Sequence, residues 1–469
     1  MLRKDFIRFM TLTAVGQWLA MRNAFSSNLL DPFLSSKDVR YIKSGELDYE
    51  KLRQGFNRRI QKQPAIIAEC YTELGVQQAI QLARRLKLPV NIQSGGHCME
   101  GFSSSQGGMM LVLKSMNRIT WLNENTIKVE PACTLAALYR EILPRKKYLP
   151  GGSCAGVAIA GLTLGGGYGL LSRKFGLTCD SLQAISMIDG MGNRVESSND
   201  QDLLKACRGG NNGNFGVVTS LTFQLHAAPS SMSQYKFRSF KVSPDRAIGL
   251  MRSWFEYSKS LPVDCFSAFV LNRKTVYILL TQTGNAHPMT QRFIREMSGI
   301  SDKTTQTTSQ PLEQALRNYY GRTEPLYFKN ASAGLYHGFS DLESVADAVI
   351  RKVADSPGMI FQINTLGGKV MDEQAARQSV FPHRRFAFFS ELQTYWDQPA
   401  QAKSRMTTFQ SVQHLIDDQK QRPQYRNYPD LDFSNPLQQY YGDRLAWLTQ
   451  VKKRFDPDNT FRFEQSLKA

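Results

Sequence analysis

Residues Gly151–Asp180 read GGSCAGVAIAGLTLGGGYGLLSRKFGLTCD. Glycine stands at 151, 152, 156, 161, 165, 166, 167, 169 and 176. No helix or strand interior carries such a density, because each glycine there costs about 0.5–1 kcal/mol relative to alanine. These positions are selected for close backbone approach or for positive φ. Backbone N–H groups without side chains in the way stabilise phosphate charge, so a phosphate-bearing ligand is the leading chemical reading. A tightly packed glycine turn without a ligand is the alternative. No Gly-Lys-Ser/Thr follows, which excludes a Walker loop, and Gly165-Gly166-Gly167-Tyr168-Gly169 lacks the spacing of the dinucleotide fingerprint.

Upstream, the pattern of Gly75–Lys87 (GVQQAIQLARRLK) predicts an amphipathic helix, followed at once by a short strand over Pro89–Ile92. That strand runs into Ser94-Gly95-Gly96, a glycine turn at a strand end, where N–H groups can face a ligand. Strands are expected at Met109–Leu113 and Thr126–Glu130, and a helix over Leu135–Leu143. The alternation predicts α+β layers around a cofactor.

A chain of 469 residues with 42% hydrophobic content can build a sizeable core and most simply two domains. Its net charge is +18, but the basic clusters (Arg145 to Lys147, Arg384 with Arg385, Lys452 to Arg454) are short and scattered. A nucleic-acid partner is not expected, since it would call for one basic face with groove-reading or stacking elements; attraction to anionic molecules or a negatively charged envelope is. The seven cysteines show no CxxC or zinc spacing, so no metal site and no dithiol motif is expected. For all but Cys154 the simplest role is a buried apolar thiol.

Arg3, Lys4 and Arg8 precede an apolar stretch, Phe9–Met21, too short to span a bilayer comfortably. Arg3-Lys4-Asp5-Phe6-Ile7 resembles a twin-arginine export signal with lysine in the second place. Residues 1–25 are therefore expected to be an export signal, with a periplasmic or extracellular destination. A first amphipathic helix on a cytoplasmic protein is the alternative.

Several motifs follow one another in a recognisable order. They are Ser94-Gly95-Gly96-His97, Gly152-Ser153-Cys154, Gly161, the Gly165–Gly169 run, Phe175-Gly176-Leu177-Thr178-Cys179-Asp180, Arg208-Gly209-Gly210 and Asn214-Phe215-Gly216-Val217-Val218. Phe381-Pro382-His383-Arg384, Tyr425-Arg426-Asn427-Tyr428-Pro429-Asp430, Tyr440-Tyr441-Gly442 and Asp456-Pro457-Asp458-Asn459 continue the order to the C-terminus. In this the chain resembles the berberine-bridge-enzyme-like oxidases of the vanillyl-alcohol-oxidase (PCMH-type) flavoproteins. The resemblance implies an α+β, two-domain protein. A PCMH-type FAD-binding domain would comprise residues 40–228 and a returning segment 429–469, and an antiparallel-sheet substrate domain residues 229–428.

It further implies FAD tethered twice, through its 8α-methyl group to His97 and through C6 to Cys154. Imidazole nitrogen and thiolate are nucleophiles suited to such additions. Carried over position by position, the cofactor-binding residues are Ser94, Gly95, Gly96, His97, Gly152, Ser153, Cys154, Val157, Gly161, Gly165, Gly166, Gly167, Tyr168, Gly176, Leu177, Asp180, Gly216 and Val217. Val157 falls where the family controls oxygen access, and its small side chain resembles the oxygen-reactive members, which implies O2 as electron acceptor. Gln93 departs from the family's usual arginine, leaving the pyrophosphate without a positive neighbour there.

In the middle of the chain, a helix is expected over Ala247–Ser260 and strands over Thr275–Thr283 and Met359–Asn364. Alternation in Phe386–Trp396 puts Phe389, Glu391, Gln393 and Tyr395 on one face and Phe388, Ser390, Leu392 and Thr394 on the other. By resemblance, Glu391 and Tyr428 are the catalytic pair, relieving a small-molecule carbinol of its hydroxyl proton while a hydride leaves its carbon. The carbinol expected is that of a sugar or oligosaccharide. Amine or ring-closing natural-product oxidation, a dehydrogenase with another acceptor, and a flavin carrier without turnover are the alternatives. His383, a tempting base, reads as structural.

Overall fold

The computed structural model describes residues 36–417 and 422–469, so the expected export signal lies outside the described residues. Strand β1 (Val39–Ile42) pairs antiparallel with β2 (Ile66–Cys70), which leads through the helix Glu73–Arg85 into β3 (Val90–Gln93). Strand β4 (Met109–Val112) inserts between β2 and β3, parallel to both. The helix begins two residues before the predicted start because the Thr72 hydroxyl accepts from the Gly75 N–H at 3.1 Å, capping the first turn. It ends at Arg85, and Lys87 adopts a positive φ. Its inner face, Val76, Ala79, Ile80 and Ala83, is fully buried against Val39, Ile66, Ala68 and Leu111. Phe461 joins this cluster, and Val90 N–H donates to Thr460 C=O at 2.8 Å, so the C-terminal segment returns to this layer.

A second, antiparallel sheet contains β5 (Ile119–Asn123), β6 (Thr126–Val129), β8 (Leu182–Asp189), β9 (Arg194–Glu196) and β10 (Gly216–Gln224) in the order β5-β6-β10-β8-β9. Two-residue strands β7 (Lys147–Tyr148) and β11 (His226–Ala227) pair beside it. Between β7 and β8 lies the glycine-rich stretch, which forms the short helices Ile159–Leu164 and Ser172–Phe175 and a 3-10 turn at Thr178–Ser181. A Cβ placed on Gly169 would lie 1.6 Å from Gly151 C=O, so the ends of the glycine frame touch backbone to backbone.

The middle of the chain forms a seven-stranded antiparallel sheet. Its strands are β12 (Ser231–Ser239), β13 (Cys265–Asn272), β14 (Thr275–Gln282), β15 (Lys303–Pro311), β16 (Tyr327–Tyr336), β17 (Met359–Thr365) and β18 (Phe388–Trp396), ordered β15-β12-β14-β13-β17-β18-β16. The expected helix at Ala247 instead starts at Pro244, where Ser243 caps it by accepting from Arg246 N–H at 3.2 Å. Trp254 and Phe255 of this helix meet Phe388 of β18 edge-on at 5.4 and 4.6 Å. Phe388 and Leu392 are thus committed to the core, and period two sends Phe389, Glu391, Gln393 and Tyr395 the other way, as the alternation predicts.

Candidate active site

Between the glycine-rich layer and the Phe389–Glu391 face of the seven-stranded sheet lies a cleft of about 970 Å³. Ser94, Gly95, Gly96 and His97 line it from the end of β3, and Gly152, Ser153, Cys154, Val157 and Gly161 from the glycine frame. The two segments touch: a Cβ on Gly95 would lie 2.8 Å from Ala158 N, and one on Gly156 3.0 Å from His97 Nε2. Among the described residues, the N–H groups of Gly95, Gly96 and His97 donate to no protein acceptor. Three successive N–H groups without a protein acceptor at a strand end are donors that anionic oxygens can use. This is the feature a dinucleotide's phosphates require.

His97 stacks on Phe56 with ring centroids 4.4 Å apart. Burial lowers its pKa to about 4, so at neutral pH the imidazole keeps a nucleophilic lone pair. Cys154 is accessible from the cleft, and the surrounding protein raises its pKa, with the charge of Glu391 adding to the effect. The other six cysteines are also free, and all but Cys98 are buried.

On the facing wall, Glu391 is 7% exposed, and its carboxylate accepts from Asn330 Nδ2 at 3.0 Å. Burial raises its pKa, against the opposing hydrogen bonds from Asn330, Asn364 and Gln393. The Tyr428 phenol is pushed well above its ordinary value, first by burial and then by the Glu391 charge. Tyr428 is held by its backbone: its N–H donates to Tyr425 C=O and its C=O accepts from Ser332 N–H, each at 2.9 Å. Asn330, Gln362 and Asn364 also line this wall. They escape a sequence reading because only the β16-β18-β17 register sets Gln362 opposite Glu391 and Asn330 opposite Gln393.

The remaining expected cofactor residues are placed unevenly. Gly216 lines the cleft, whereas neighbouring Val217 points into the core beneath β4. Tyr168 lines it too, but its hydroxyl donates to Thr365 C=O at 2.6 Å, tying the glycine frame to the substrate-side sheet. Gly165, Gly166 and Gly167 lie off the cleft wall, packed against Asn427, Phe381 and Thr178. Gly176, Leu177 and Asp180 lie off it as well: Asp180 Oδ2 accepts from Leu177 N–H at 2.9 Å and from Arg384 Nη1 at 3.1 Å, which closes the loop on itself. His383 is buried outside the cleft, as expected of a structural residue. Phe56 and Arg426, which no motif marks for this role, do line it.

Two family models match: an FAD binding domain over residues 64–198 and a berberine and berberine-like segment over residues 424–468. The chain carries the FAD binding domain and the berberine-like segment found in the berberine-bridge-enzyme-like flavoproteins. It is an FAD-linked oxidoreductase. A Bacillus subtilis relative, the uncharacterized FAD-linked oxidoreductase YgaK, is 28% identical over 441 residues, spanning 91% of this chain and 96% of that protein. Berberine bridge enzyme-like 9 of Arabidopsis thaliana is 25% identical, spanning 90% of this chain and 87% of that protein. Among solved structures, the glucooligosaccharide oxidase of Acremonium strictum, which carries a 6-S-cysteinyl, 8α-N1-histidyl FAD, superposes with a TM-score of 0.83 at 20% identity. The match covers 94% of this chain and 99% of that one, and the likeness is one of fold.

Proposed function

We propose that the protein is an oxidase that takes a hydride from a carbinol of a sugar or oligosaccharide onto FAD joined to both His97 and Cys154. The observation that carries this reading is the convergence, on one cleft, of a neutral His97, an accessible Cys154, a row of free N–H donors and a buried carboxylate on the opposite wall. When bound, FAD would supply the two-electron acceptor for the hydride and deliver the electrons to O2, giving hydrogen peroxide.

The protein's own part is proton management and orientation. Glu391 takes the hydroxyl proton as the hydride departs, and its three amide neighbours hold the carboxylate in one orientation. Tyr428 stays protonated, because burial and the Glu391 charge both oppose a phenolate. Its hydroxyl therefore relays a proton in concert with Glu391. The polar row of Asn330, Gln362, Asn364 and Gln393 offers donors and acceptors suited to a polyhydroxylated substrate. Val157 in the cleft wall leaves room for oxygen.

The test is anaerobic bleaching of the yellow protein by a panel of oligosaccharides, alcohols and amines, followed by air. Bleaching by a sugar with colour and peroxide returning in air is expected. Bleaching without reoxidation by air would replace the oxidase with a dehydrogenase, and no bleaching by any sugar would remove the proposed substrate class. Acid precipitation tests the tethers: a colourless pellet would end the covalent assignment.

A further inference from the structure

Among the described residues, one buried cation in the cleft has no counter-charge, whereas the cleft's other arginine, Arg322, is exposed. Arg426 is 5% exposed and lines the same cleft as Ser94–His97. Its Nε donates to the Tyr441 hydroxyl at 3.2 Å, and its guanidinium lies over the rings of Tyr440, Phe102 and Phe463 at 5.2, 5.4 and 5.6 Å. No carboxylate among the described residues forms an ion pair with it. Among the described residues, the other buried Lys and Arg side chains show the contrast: Arg53, Lys329, Arg384 and Lys452 each pair with a carboxylate, and Arg173 and Arg422 spend their guanidinium groups on backbone carbonyls. A buried charge without a counter-ion is poorly compensated by a hydroxyl and ring faces alone and is suited to meeting an anion.

The Ser94–His97 turn of the same cleft lacks the cation a phosphate pair would want. Gln93 is buried, and its amide folds back beneath the turn, with Nε2 3.6 Å from the Cβ position of Gly96. Gln93 is neutral and does not line the cleft. Arg426 approaches from the other end of the chain, beside Asn427, whose Nδ2 donates to Leu162 C=O in the glycine frame at 3.0 Å.

We infer that Arg426 is the cation that meets the phosphates of the cofactor, bringing from the berberine-like segment at residues 424–468 the positive charge that the Ser94–His97 turn does not have. This rests on the flavin reading. The free N–H row binds phosphate oxygens through dipoles, and Arg426 adds the full charge and a planar fork of donors. Folding the C-terminal segment onto the first sheet thus completes the phosphate site.

The test uses the full-length chain with His97→Ala and Cys154→Ala, in which bound flavin is exchangeable, and titrates it with FAD, ADP and riboflavin at low and high salt. Arg426→Met is expected to weaken FAD and ADP about tenfold to hundredfold, the worth of a charge-assisted hydrogen bond, and to flatten the salt dependence. Riboflavin, which has no phosphate, should bind as before, and Arg426→Lys should restore part of the loss. Equal weakening of FAD and riboflavin would overturn the inference in favour of a packing role, and unchanged ADP affinity would overturn it outright. If the parent chain bound neither FAD nor riboflavin, the flavin assignment itself would fall.

Discussion

The His97 ring lies nearly parallel to Phe56, with 17° between their planes and centroids 4.4 Å apart. Phe56 N–H also donates to Gly96 C=O at 2.9 Å, so one residue fixes both the turn and the imidazole. The proposed tether needs the imidazole to add to a single flavin carbon, which depends on such positioning. With Cys154→Ala removing the second tether, Phe56→Ala should lower the fraction of flavin surviving acid precipitation several-fold, while Phe56→Tyr should preserve it. Equal retention in both variants would show that the stack does not position His97.

Much of this half of the site was legible because its determinants are local. A strand ending in Ser94-Gly95-Gly96-His97 and a glycine frame starting at Gly151 declare themselves by spacing, and both reach the cleft. The same glycine density also suggested cofactor contacts at Gly165, Gly166 and Gly167, where the structure sets their own chain instead. Sequence shows that something approaches closely, not whether it is ligand or protein. Arg426 and the amides around Glu391 were hidden because long-range folding and sheet register alone bring them to the site.

Glycines of opposite consequence follow from the same geometry. A Cβ on Gly169 would strike Gly151 C=O at 1.6 Å, backbone against backbone, whereas one on Gly249, inside the helix Pro244–Ser258, meets nothing within 4 Å. Gly169→Ala should therefore abolish soluble, flavin-loaded protein or cost more than about 3 kcal/mol, as overpacked sites do. Gly249→Ala should raise stability by roughly 0.5–1 kcal/mol through helix propensity. Urea midpoints of the two variants check both signs.

Burial raises the Glu391 pKa from its ordinary value, against the hydrogen bonds of Asn330, Asn364 and Gln393. A base works only when ionised, so flavin reduction by substrate should be slow at acid pH and rise as Glu391 loses its proton. The midpoint should lie above about 4.3, the value of a free glutamate. Glu391→Gln should slow reduction by about 10²–10⁴-fold and abolish that acidic limb without releasing the flavin. Stopped-flow reduction across pH separates this from a structural role, in which the limb would persist in the variant.

Beneath the site, Lys329 Nζ bridges Glu100 Oε1 and Asp430 Oδ1, each at 2.5 Å, with all three side chains at most 1% exposed. Arg59 Nη2 holds the other Glu100 oxygen at 2.9 Å. Glu100 follows the His97 turn, Asp430 follows Tyr428, and Lys329 sits on β16, so one ammonium joins both loops to the substrate-side sheet. Lys329→Met would leave the carboxylates underpaired in the interior, at a cost of about 3–5 kcal/mol. Burial already raises the Asp430 pKa to about 6, so the native state gains from its protonation below that pH and loses that stabilisation as pH rises through it. Without the Lys329 charge the pKa moves higher still, and the penalty should be smaller at pH 5 than at pH 8. Urea unfolding of wild type and variant at both pH values checks it; an equal loss at the two would mean that Lys329 acts through packing rather than charge.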